Sequence, residues 1–156
     1  MKPKIYLSDN FTLAEATKSS DALRWGIDNT PNEQEIVKLK ATAINILQPA
    51  RDHFGIGFVP SSWFRCLLLN RELKSEDTSQ HLLSEAVDWE IPTIDNLLLS
   101  HWVKDNLDFD QLILEYYTED DPCSGWIHTS FVSLEANRHE ILTFTKGSKV
   151  FGLPEL

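Results

Sequence analysis

Three short stretches of the chain carry side chains that could hold a metal ion: Ser79-Gln80-His81, Ala86-Val87-Asp88 and Trp126-Ile127-His128-Thr129-Ser130. Two imidazoles and a carboxylate form a ligand set suited to catalytic zinc, with a fourth position left for water. The residue types alone are not specific, because most chains of this length offer some such trio. Geometry is more restrictive. On one continuous helix, His81 and Asp88 would be separated by about 10.5 Å of rise. Bonds of about 2 Å to a shared ion cannot close that gap. A common site therefore requires the chain to turn or extend near Leu83-Ser84. The alternative is an amphipathic helix with His81 at its start and Asp88 near its end.

Other candidate groups carry less. His101 lies among Leu97, Leu98 and Trp102 and reads as a core-edge residue, while His53 and His139 read as surface residues. Glu119-Asp120-Asp121 offers oxygen ligands to calcium but lacks an ordered spacing, so it reads as a solvated loop. Cys66 and Cys123 form no CxxC and are too few for a disulfide framework, which suits synthesis in a reducing compartment. Cys123, in a charged loop, reads as a free thiol. Trp63 and Trp126 could flank a cleft or simply pack. The HExxH, P-loop, GxGxxG and GxSxG patterns are absent, which argues against the common zincin, nucleotide-binding and serine-hydrolase chemistries.

The elements that must position these residues change character along the chain. Thr12 and Glu15 make a capping-box pattern opening a short helix. Thr30-Pro31-Asn32-Glu33 predicts a second start with Thr30 as N-cap. From there Ile36, Leu39, Ala43, Leu47, Ala50 and Phe54 repeat at helical spacing. Pro49 predicts a kink inside that helix, and Gly55 and Gly57 end it. Phe58-Val59 reads as a short strand, and residues 94–107 as a third helix. Residues 111–117 and 126–132 are β-branched and aromatic strands joined by a loop of turn residues, with residues 141–144 as a further strand. Helices first and antiparallel strands later predict an α+β domain, with N-terminal helices packed on a small antiparallel sheet.

At 156 residues the chain suits one domain spanning residues 1–156. Its net charge of −10 opposes binding to phosphate backbones and anionic membrane surfaces, so neither nucleic acid nor membrane is an expected partner. No apolar run is long enough to span a bilayer. The opening MKPKIYLSDN has lysines but no apolar stretch behind them, so synthesis in the cytoplasm without a secretory signal is expected. The expected state is a monomer.

The ordered set of motifs carries a family resemblance. Residues 79–89 (SQHLLSEAVDW) resemble the SxHxxGxAxD motif of the zinc D-Ala-D-Ala carboxypeptidase family, which includes phage endolysins and shares its fold with the Hedgehog signalling domain. Asp9 to Glu15 resembles the opening of phage and bacterial members, and Leu47-Gln48-Pro49-Ala50-Arg51 the end of their long helix. Ser62-Trp63-Phe64-Arg65 followed by Leu69-Asn70 resembles their arginine motif. Gly125-Trp126-Ile127-His128 resembles the segment holding the last ligand, and Asn137-Arg138 the tail. The resemblance covers residues 8–144. It implies one Zn²⁺ per chain held by His81, Asp88 and His128, with Arg65 binding a substrate carboxylate or the oxyanion. Ser79, Gln80 and Trp126 would line the substrate cleft.

Two positions depart from the family pattern. The motif glycine is Ser84, and the catalytic acid that many members place three residues before the last histidine is Gly125. Another base is needed, and strand register suggests Glu115. Pairing Tyr117 with Trp126 across the loop sets Glu115 directly opposite His128, with β-carbons about 5 Å apart. A slip of one residue would turn it to the other face. The alternative for Glu115 is a cross-strand partner on a solvated sheet.

The implied activity is cleavage of the peptide stem of peptidoglycan at a bond involving a D-amino acid, of carboxypeptidase or L-Ala-D-Glu endopeptidase type. The absent export signal suits a lytic enzyme that reaches the wall when released or carried by a phage. A cytosolic peptidase fits that absence equally. The rival is a catalytically inactive zinc-containing module that binds wall peptides. A third reading is an acidic structural or DNA-mimic protein using no metal.

Overall fold

The computed structural model describes residues 3–156. Thr12 caps α1 (Leu13–Thr17) in the capping box expected with Glu15. A short α2 (Ser20–Trp25), which the sequence reading did not separate, is capped by the Ser19 hydroxyl and ends on left-handed Gly26. The cap of α3 (Glu33–Thr42) is Asn32, two residues later than expected. Asn32 and Glu35 have the same capping-box spacing, and they bond reciprocally at 2.7 and 2.9 Å. Thr30 instead bonds Asp28.

The disturbance expected at Pro49 lies upstream of it. Residues Ala43–Leu47 form a π-helical turn, and the Gln48 N–H donates to Ala43 O, before α4 (Gln48–Phe54) begins with Pro49 in its first turn. Proline cannot donate in the helical ladder, and a π-turn is one way a helix absorbs that loss. Phe58-Val59 is not a strand. It passes as an extended segment, with Phe58 stacked on Trp89 at 5.2 Å.

The remaining elements are α5 (Leu67–Glu72), β1 (Ala86–Trp89), α6 (Asn96–Asn106), β2 (Gln111–Glu115), β3 (Trp126–Ser130), β4 (Glu140–Thr145) and β5 (Ser148–Phe151). They give an α+β fold with one five-stranded sheet in the order β1-β3-β2-β4-β5. The sheet is mixed, which corrects the antiparallel expectation: β2 and β4 are parallel, and the other pairs antiparallel. β3 returns the chain to the starting end of β2, where Glu140 N–H bonds Asp110 O, so β4 sets out in the same direction as β2. β1 and β5 were not anticipated as strands. Among the described residues no helix is long and apolar enough to cross a membrane.

Alternation divides the sheet into two faces. Val87, Trp89, Leu112, Leu114 and Ile127 are fully buried and join Leu39, Ile46, Leu47 and Ala50 of the helical layer in the core. Asp88, His128, Ile113, Glu115 and Trp126 occupy the opposite face by register.

Candidate metal centre

Asp88 and His128 are direct cross-strand partners in the β1–β3 ladder, so their side chains share a face. The far edge of β1 is held by the segment before Arg65. Asp88 N–H donates to Ser62 O at 2.7 Å, and Ser61 N–H donates to Asp88 O at 2.9 Å. His81 reaches the same point from a turn rather than a helix. Leu82 and Leu83 N–H bond Ser79 O, while Glu85 and Ala86 N–H return to Gln80 O, and β1 starts at once. The turn closes through Ser84 at φ 63°, a left-handed conformation that glycine adopts freely and serine does not. The turn-and-extend geometry required for a shared ion is therefore present, and the helical alternative for residues 81–88 is not.

The three groups converge. Asp88 Oδ1 lies 2.9 Å from His128 Nδ1, and Asp88 Oδ2 lies 3.2 Å from His81 Nε2. One potential ligand atom from each residue falls within 4.8 Å of the others. Ligand atoms on one tetrahedral zinc, with bonds near 2 Å, stand about 3.3 Å apart, so an ion would have to draw the three groups only slightly closer together. The ring orientation fits as well. His81 Nδ1 lies 2.7 Å from Trp63 O, to which its N–H donates, so Nε2 is the nitrogen turned toward Asp88 and the one that would face an ion. Metal-ligating histidines are typically oriented in this way. All three residues are buried. Burial pushes the Asp88 carboxyl up, but the charges and hydrogen bonds of His81 and His128 outweigh it and hold Asp88 well below the usual carboxylate range.

Arg65 stands beside the cluster. Its Nη2 donates to Ser62 Oγ at 3.1 Å and lies 3.8 Å from Asp88 Oδ2, and its backbone N–H donates to His81 O. Burial lowers its pKa against the opposing charges of Asp88 and Glu115, and a guanidinium remains cationic under such a shift. Ser61, Ser62 and Arg65 also line a hollow of about 210 Å³ with Lys18, Ser19 and Ser20. A larger apolar hollow of about 570 Å³ between the N-terminal segment and α1 shares no residue with the site, so size alone does not mark the cleft.

Glu115 lies on the sheet face that carries Asp88 and His128, but not in the expected register. It pairs with Trp126, and Ile113 pairs with His128. The offset is two residues, so the face is unchanged while Glu115 becomes the diagonal neighbour of His128. The ladder stops there because Tyr116 at φ 56° and Gly125 at φ 65° leave the β region. Burial first, and the Asp88 charge second, push the Glu115 carboxyl up to about 6, with His128 and Arg65 partly offsetting them. Trp126 is half-buried against Tyr116 with ring centroids 5.3 Å apart, and its Nε1–H has no acceptor among the described residues.

Elsewhere the side chains have other engagements. The Gln80 amide donates to Asp110 Oδ2 at 2.9 Å and to Glu85 Oε2 at 3.2 Å. Trp63 packs in the core against Phe11. His101 is half-buried with Nε2 against Pro154 O, whereas His53 and His139 are exposed. Cys123 is an exposed free thiol, and Asp121 accepts its backbone N–H. The Trp63 carbonyl and the Ser62 hydroxyl escaped the sequence reading. Only the serine had a signal, as the first residue of the arginine motif.

The sequence model of the peptidase M15 family matches residues 9–129. The chain belongs to the peptidase M15 family. Its members are zinc peptidases, and the matched segment contains His81, Asp88, His128, Arg65 and Glu115. No curated protein matches the chain.

Proposed function

We propose that this M15 peptidase is a zinc enzyme that cleaves the peptide stem of peptidoglycan at a bond involving a D-amino acid. The observation that carries the reading is the convergence of His81, Asp88 and His128 on one point, with Glu115 on the same sheet face and Arg65 alongside. Zinc held by these three residues would supply Lewis acidity, polarising a carbonyl and making water more acidic. Glu115 takes the proton of the attacking water and delivers it to the leaving amine, a role suited to a carboxylate whose pKa is raised toward neutrality. Arg65 orients a substrate carboxylate or stabilises the oxyanion through its planar fork. Ser79 and Trp126 supply contacts along the cleft. Gln80, with its amide engaged, supports the His81 turn.

A noncatalytic wall-peptide module is the second reading, and it rests on the missing acid at position 125. The presence of Glu115 on the metal-facing side favours catalysis. Delivery to the wall by a phage is proposed on the resemblance to phage members, and action as a monomer is proposed beside it. Metal analysis together with mass spectrometry of digested muropeptides tests it. One zinc per chain and a new stem-peptide product are expected. A zinc-loaded protein that leaves every muropeptide intact would select the binding module.

A further inference from the structure

Asn137 and Arg138 lie past the matched segment and outside the site just described. Arg138 grips Asp110 with two parallel bonds, Nε to Oδ1 at 2.9 Å and Nη2 to Oδ2 at 2.7 Å, and its backbone N–H adds a third at 3.0 Å. Asp110 is only 2% exposed. Two further donors reach the same carboxylate: Gln80 Nε2 at 2.9 Å and Ser130 Oγ at 3.4 Å. Gln80 precedes His81, and Ser130 follows His128 by two residues. The backbone reinforces the junction, since Asp110 N–H bonds Ser130 O and Phe131 N–H bonds Glu85 O. Asn137 braces the same connection, accepting from Val132 N–H and donating to Asp108.

A carboxylate this buried is costly unless it stays paired. The arginine fork satisfies both oxygens in one plane, which a lysine ammonium does not. The carboxylate so held is the common acceptor for the residues flanking both histidine ligands.

We propose that Asp110 and Arg138 are positioning residues for the metal centre. Asp110 fixes, through Gln80 and Ser130, the separation between the turn that carries His81 and the strand that carries His128, and Arg138 keeps Asp110 paired. The proposal rests on the metal-site reading above. Groups supporting metal ligands from outside typically change metal affinity by about 10- to 100-fold when removed. Asp110 reaches the histidines only through the main chain of Gln80 and Ser130, so the lower end applies.

The test compares the full chain with Gln80→Ala, Arg138→Ala and Arg138→Lys, and with Arg71→Ala as a control at an exposed ion pair with Asp77. Three readouts are taken: cobalt(II) affinity by chelator competition, the visible spectrum of the cobalt protein, and the imidazole NMR resonances of His81 and His128 in metal-free protein. Gln80→Ala and Arg138→Ala should weaken cobalt binding about tenfold, alter the visible spectrum and shift the His81 resonances. Arg138→Lys should recover part of the loss, and Arg71→Ala should match wild type. Wild-type values in Gln80→Ala and Arg138→Ala would overturn the proposal. If Arg138→Ala does not fold, Gln80→Ala decides by the same criteria, because it leaves the Arg138–Asp110 bonds intact. A wild-type protein that binds no cobalt would overturn the metal reading itself. The metal-free resonances then decide the positioning role, and their constancy in Gln80→Ala would end it.

Discussion

The carbonyl oxygen of Glu115 occupies the space that a side chain at Gly125 would need: a β-carbon there would lie 1.8 Å from it. The approach of β2 and β3 therefore leaves no room for a side chain at position 125. The strand whose backbone excludes a side chain there presents Glu115 on the face that carries Asp88 and His128. Gly125→Asp, which restores the family's spacing in sequence, should not restore chemistry. It combines a backbone clash with a left-handed φ and should destabilise the fold by about 2 kcal/mol or more. Urea denaturation of Gly125→Asp beside a muropeptide digest checks this. A stable and more active variant would show that the backbone moves aside.

Glu115→Gln keeps the size of the side chain but cannot accept a proton, and it should lower the rate by a factor of about 10² to 10⁴ while metal content stays unchanged. Wild-type turnover would place the base elsewhere. Loss of metal together with activity would put Glu115 among the ligands.

The raised pKa of Glu115 also has a sign in stability. The folded carboxyl titrates at about 6, above the ordinary 4.5, so the fold favours its protonated form. Its contribution is complete below pH 4.5 and is lost as pH rises through 6. Metal-free wild type should therefore lose stability relative to Glu115→Gln over that window, as measured by denaturation at each pH. A cation bound beside Glu115 should lower the pKa and shrink the effect.

Ser84 carries a left-handed φ of 63° and a buried hydroxyl with no partner among the described residues. Ser84→Gly removes both penalties, against a greater loss of chain entropy on folding. A net stabilisation of about 1 kcal/mol is expected. Thermal and urea unfolding would reveal it. Unchanged or lowered stability would mean that the hydroxyl is satisfied by ordered water.

Arg65→Lys should keep the metal and lose most activity, because an ammonium cannot make the bidentate contact. Near-normal kcat/KM would assign Arg65 to structure alone.

His128→Ala leaves two protein ligands and should sharply reduce zinc affinity, read by elemental analysis after dialysis. It also removes one of the partners that hold Asp88 below the usual carboxylate range. That depressed pKa contributes stability above the unfolded-state value and is lost as pH falls through the folded one, so the acid limb in His128→Ala should move to higher pH.

The candidate cluster of His81, Asp88 and His128 was legible in the sequence because imidazole and carboxylate chemistry belongs to side chains, and its motif spacing survives without coordinates. So were α1, α6, β2 and β3, where caps and periodicity are local. The parallel course of β4 was not legible, because it depends on where β3 returns the chain relative to Asp110. Nor was β1, whose four residues are buried on both sides and show no alternation to separate a strand from a helix. The face of Glu115 followed from sequence, since an error of two residues preserves parity. Its partner did not, because the register is set by two left-handed residues, Tyr116 and Gly125. Most of all, sequence could place Gly125 where an acid was expected but could not say that no side chain fits there. That exclusion is a distance between two strands, and only the tertiary structure brings Glu115 O to the place where a β-carbon would have to be.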